Sequence, residues 1–223
     1  MSNIKEHFKQ ILQLNDPKKI LYQVHHALAL KIGENIIRIA EAEYYPWSDS
    51  FCHKNEKQKE TCTFYVHRFG HSSTNAYKAG TYKGLDITCQ GGILIRSIIV
   101  EDKLIEGPCL CVDYILKITN WTLKDLEEKI ELVEASFDDN YVLYGARKGI
   151  TLKKVKDHNA YILRYRSSIV LLKKGIETFF VTNINREDIP RKQKYIDEFN
   201  QGKTKEINEN STQLEVAGRL STL

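Results

Sequence analysis

The chain has 223 residues, 42% hydrophobic and 28% charged, a balance that excludes global disorder and collagen-like sequence. Lys and Arg number 33 against 29 Asp and Glu, so the net charge of +4 permits a polyanionic partner without demanding one. The longest apolar runs, 92–100 and 161–172, are interrupted by arginine and fall short of the ~20 residues of a membrane span.

Spacing of Ile4, Phe8, Ile11 and Leu12 predicts an amphipathic helix over Asn3–Leu14. Asp16 as cap and Pro17 at the first helical position predict a short second helix, Pro17–Val24. Two extended runs, Ala27–Ile32 and Asn35–Tyr45, flank Gly33-Glu34 and read as a tight hairpin. Residues 46–61 are polar and loop-like, Thr63–Arg68 alternates as a strand, and 69–80 carries the serine, asparagine and glycine of a surface loop. Lys83–Thr88 and Gly92–Val100 are further strands. Gly107-Pro108 opens a helix over Cys109–Ile118, and Thr122 with Asp125 forms a capping box before a helical pattern over Leu123–Ala135. Extended patterns return at Tyr141–Ala146, Thr151–Lys156 and Tyr161–Leu172. A last helix is expected at Pro190–Phe199, followed by a tail with little to bury. Helices mixed with mainly antiparallel strands make the class α+β, with a main domain over 1–185 and a C-terminal helix and mobile polar tail over 186–223.

The odd count of five cysteines argues for a reduced, intracellular setting, and the N-terminus shows no secretory pattern. Cys52, His53, Cys62, His67 and His71 fall in one stretch, but their spacing is irregular for zinc and no metal is expected. There is no Walker loop, no GxGxxG after a strand and no GxSxG elbow. Glu41 and Glu43 replace two isoleucines on one face of the second hairpin strand. They are either solvated carboxylates on an edge strand or a carboxylate beside tyrosines that activates water. Arg96, inside an apolar strand, is either a structural partner of Glu41, Glu43 or Asp86, or a cation beside the catalytic acid. Basic groups recur at Arg147-Lys148, Lys153–Lys156, Lys173-Lys174 and Arg191–Lys194. Gathered on one side, they would contact phosphates.

The run Arg38-Ile39-Ala40-Glu41-Ala42-Glu43-Tyr44-Tyr45 resembles the "R-I-V-E-T-E-A-Y" strand of the alkyladenine (3-methyladenine) DNA glycosylase family. Thr63–His67, Gly80–Thr88, Ile93–Ile98, Glu106–Cys111, Ala146–Ile150 and Leu163–Arg166 resemble further segments of that family in the same order, over roughly residues 5–170. The resemblance implies a curved antiparallel sheet with flanking helices. It also implies base excision of alkylated or deaminated purines from damaged double-stranded DNA after base flipping, without a cofactor. On this resemblance Glu43 activates water, Arg96 lies near the catalytic water, and Tyr45, His53, His67 and Asp86 contact the flipped base. His67 and Asp86 stand where the family has tyrosine and asparagine, and Phe69 and Tyr77 are candidates for the wedge that fills the vacated stack. The expected enzyme is a monofunctional monomer, intracellular and nuclear in a eukaryote. The alternative is an inactive or repurposed nucleic-acid-binding member of the fold. A third reading is a glycosidase using Glu41 and Glu43 as an acid–base pair, since alternate strand residues lie ~6.6–7 Å apart.

Overall fold

The computed structural model describes residues 4–49, 52–68, 82–137, 142–146, 165–168 and 179–182. Two compact units divide the chain, residues 1–137 and 138–223. In the second, β8 (Val142–Ala146) lies between β9 (Tyr165–Ser168) and β10 (Phe179–Thr182), both antiparallel to it. The expected strand at Thr151–Lys156, the helix at Pro190–Phe199, the boundary at 185/186 and all four basic groups fall outside the described residues.

The first unit is α+β, with helices flanking a curved antiparallel sheet. Helix α1 (Ile4–Leu12) buries Phe8 and Ile11. Helix α2 (Pro17–Ala27) runs three residues beyond the sequence expectation. Its cap is Asp16, whose carboxylate accepts from the Lys18 and Lys19 amides, and its extra turn buries His25. Strands β1 (Leu28–Ile32) and β2 (Asn35–Pro46) form the expected hairpin, with Gly33 at φ +59° in the turn. A 3₁₀ turn over Glu56–Lys59 then leads into β3 (Thr61–Arg68), β4 (Tyr82–Cys89) and β5 (Gly91–Val100). A further strand, β6 (Lys103–Glu106), returns along β5 and was not evident from its short, half-polar sequence.

Helix α3 (Pro108–Thr119) starts at proline as expected and ends at Asn120 in the left-handed conformation. Helix α4 (Leu123–Lys129) has the predicted Thr122–Asp125 capping box, but it stops six residues short of the expected Ala135. Glu131–Glu134 is instead strand β7, paired with β1 so that Leu132 faces Leu30. Leu123, Leu126 and Ile130 satisfy a helical period while Ile130 and Leu132 satisfy a strand period. The open edge of β1 decides between them.

The strands run β7-β1-β2-β5-β4-β3, with β6 on β5 beyond the end of β4. Cross-strand partners point to the same face. Ala42, Ile95, Leu85 and Val66 form one row, and Tyr44, Ile93, Ile87 and Phe64 the next, giving an apolar face. The opposite face carries Glu43, Leu94, Asp86 and Tyr65 in one row, with Tyr45, Gly92 and Thr88 beside it. Arg96 follows Leu94 by two on that face, and His67 lies opposite Gly84. A Cβ at Gly84 would stand 2.7 Å from Leu94 and 2.9 Å from Pro108, so glycine there lets the start of α3 seat against the strand.

Candidate functional site

Glu41 and Glu43 are not solvated groups on an edge. They are 4% and 2% exposed, on the stretch of β2 that pairs with β5, and both face Arg96. Arg96 Nε donates to Glu41 Oε1 at 3.0 Å, and its Nη1 lies 3.3 Å from Glu43 Oε1. Burial works against the guanidinium charge, but Glu43 and Glu41 outweigh it and hold the Arg96 pKa above its ordinary value. Both readings of Arg96 thus meet in one geometry, a structural ion pair at the candidate catalytic acid.

A local irregularity makes this cluster. Neighbouring residues on a strand normally face opposite ways, yet Arg96 and Ser97 both reach Glu41, the serine hydroxyl donating to Oε2 at 2.8 Å. Register shifts on either side of Glu41 set an extra residue, Ala40, on β2 and another, Arg96, on β5. Such bulges bend a strand and re-aim its side chains. The Ile39 carbonyl just before the bulge accepts a 3.0 Å bond from Nδ1 of His25, which is wholly buried. The Arg96 carbonyl is 3.5 Å from the Cys111 thiol. Burial raises that thiol well above its ordinary pKa, so it stays protonated.

A second cluster lies one step across the sheet. The Tyr45 hydroxyl, on a side chain 1% exposed, donates to Asp86 Oδ2. His67 Nε2 lies 2.5 Å from the same oxygen and 2.9 Å from the Tyr45 hydroxyl. Gln58 Nε2 donates to Asp86 at 3.0 Å and to Tyr45 at 3.1 Å. Gly92 makes room: a Cβ there would overlap the Tyr45 ring and the Asp86 carboxylate. The His67 ring stands edge-on to Tyr45, with 77° between planes and 6.3 Å between centroids. It stacks instead on His53, at 5.3 Å and 19°. His53 is exposed, and its Nδ1 is 2.7 Å from the Tyr65 hydroxyl.

The fold therefore brings Glu43, Arg96, Tyr45, Asp86 and His67 to one face of four strands, with His53 stacked at its edge. Phe69 and Tyr77 lie outside the described residues. Gln58, Ser97, His25 and Tyr65 complete the clusters and were not singled out from sequence. Gln58 alone left a legible signal there, since Asn55-x-x-Gln58 is a capping box, and the structure closes it in both directions. Among the described residues, no group of three or more His, Cys, Asp and Glu is placed to hold a metal ion. No described helix is long and apolar enough to cross a membrane.

Chemically, the face offers a buried carboxylate held by arginine. Beside it is a largely buried hydrogen-bonded set of tyrosine, aspartate and histidine, with the exposed His53 ring stacked on its histidine. No family model matches the chain, and no solved structure matches it. An uncharacterized protein of Acanthamoeba polyphaga mimivirus is 33% identical over 133 residues, covering 48% of this chain and 59% of that protein. The chain thus spans less than two thirds of the relative it matches.

Proposed function

We propose that this protein is a monofunctional DNA glycosylase that hydrolyses the N-glycosidic bond of alkylated or deaminated purines. One observation carries the reading. Strand register sets Glu43 with its arginine on the same face as Tyr45, Asp86, His67 and the stacked His53. The damaged nucleotide leaves the duplex and its base enters beside the aromatic groups. Glu43 takes a proton from a water whose oxygen bonds to C1′. The C1′–N bond breaks, and its electron pair leaves with the purine. A purine methylated at a ring nitrogen, such as 3-methyladenine, is cationic in the nucleotide, so it leaves readily and is drawn to aromatic faces. Arg96 keeps Glu43 oriented, and no cofactor enters the reaction.

A second reading rests on a separate observation. Tyr45 is 1% exposed and its hydroxyl is engaged by Asp86 and Gln58, so the face that would stack on a base is closed. This favours a nucleic-acid-binding protein that keeps the fold without the reaction. Excision from duplexes carrying 3-methyladenine, ethenoadenine, hypoxanthine or 7-methylguanine separates the two. The enzyme releases at least one of these bases. Glu43→Gln slows release by about 10²–10⁴-fold while DNA binding stays unchanged. Binding without release of any base supports the second reading, and absence of both overturns the two together.

A further inference from the structure

Beyond Tyr45, the end of β2 builds a small open recess that the excision chemistry leaves unused. Trp47, Lys59 and Gln90 line a volume of ≈ 330 Å³. Its frame is held from three sides. The Trp47 amide donates to the Gln90 carbonyl at 2.6 Å, and the Gln90 amide to the Glu60 carbonyl at 3.2 Å. Gln90 itself has φ +53° and is followed by Gly91 at φ +138°, where a Cβ would strike the backbone of Tyr45, Pro46 and Trp47. The 3₁₀ turn supplies the third side. Lys57 binds Glu127 of α4 at 2.7 Å, Gln58 points inward to Tyr45 and Asp86, and Lys59 turns outward with its Nζ 5.3 Å from the Trp47 ring centre. Three successive residues thus anchor the turn, complete the buried cluster and build the recess.

A half-exposed indole, a cation beside it and an exposed amide form the donor set that receives a nucleobase and its phosphate. Lys59 holds Glu56 at 2.8 Å, with the two side chains 55% and 82% exposed. A water-screened pair of that kind contributes little and yields readily to a phosphate. We infer that Trp47, Lys59 and Gln90 form a base-stacking subsite for a nucleotide neighbouring the one presented to Glu43. The inference rests on the proposed nucleic-acid reading and goes beyond it in naming a second point of contact. The indole stacks on the base, Lys59 contacts its phosphate, and the Gln90 amide meets the base edge.

The chain has two tryptophans, so Trp121→Phe leaves Trp47 as the sole indole reporter. Titrating that variant with short single-stranded oligothymidylate and with duplex DNA quenches its fluorescence. Trp47→Leu weakens binding of a dye-labelled oligonucleotide by about 10-fold, and Lys59→Ala weakens it while flattening its salt dependence. Trp47→Phe retains most of the affinity, which guards against a loss that is merely structural. Binding that leaves Trp47 fluorescence unchanged, with Trp47→Leu as tight as wild type, overturns the subsite and leaves the nucleic-acid reading standing. Absence of oligonucleotide binding in wild type overturns both.

Discussion

Replacing Arg96 by methionine keeps much of its length and removes its charge. The structure sets a large penalty on that change. Glu41 and Glu43 both face this one cation, at 3.0 and 3.3 Å, with side chains only 5% and 2% exposed. At an effective dielectric constant of about 20, each contact is worth about 5 kcal/mol of attraction before desolvation is charged against it. Removing one partner of a buried ion pair typically costs about 3–5 kcal/mol, because the remaining charge stays buried. Here two buried carboxylates lose the cation they both face, so Arg96→Met is expected to lose about that much, a large share of the about 5–15 kcal/mol that stabilises an ordinary domain. Urea unfolding at neutral pH reads the loss as a lower midpoint with an unchanged slope. Adding Glu41→Gln to Arg96→Met removes one of the two buried negative charges and restores about 1.5 kcal/mol, a non-additivity expected of groups in direct contact. A loss under about 1 kcal/mol, or one abolished by raising the salt, refutes the reasoning, for the pair would then behave as a screened surface contact.

Two further outcomes follow from the two faces of the same sheet. Gly92→Ala places a methyl group against the Tyr45 ring and Asp86, and thermal unfolding shows a cost of about 1–3 kcal/mol. A variant as stable as wild type would mean that this packing yields freely. Burial raises the Tyr44 pKa from 10.0 to about 12, with Cys89 adding to the effect. A folded pKa above the unfolded one gives stability that is complete below pH 10.0 and is lost as pH climbs toward about 12. Wild type therefore loses stability more steeply than Tyr44→Phe across that window, measured as unfolding midpoints at successive pH values. Parallel curves would exclude Tyr44 as the cause.

Some of this protein was legible in local sequence. Hydrophobic periodicity and turn chemistry marked α1, the Asp16 cap, the Gly33 hairpin, the Pro108 start of α3 and the Thr122 capping box. Each depends on residues within about one turn of one another. Boundaries failed where the deciding partner was remote. Glu131–Glu134 became a strand because β1 had an edge to pair, and α2 gained a turn that buries His25. Glu41, Glu43 and Arg96 were visible as charges in apolar strands, a pattern that requires pairing wherever it is buried. Their mutual geometry was not. It depends on the register shifts that turn Arg96 and Ser97 toward one carboxylate. Gln58 likewise reads as a capping residue in sequence, and only the tertiary packing sends its amide on to Asp86 and Tyr45. The sequence by itself determined which residues alternate and which break the alternation. Which breaks meet was decided by pairing across strands tens of residues apart, because a strand's partners are set by register and not by its own side chains.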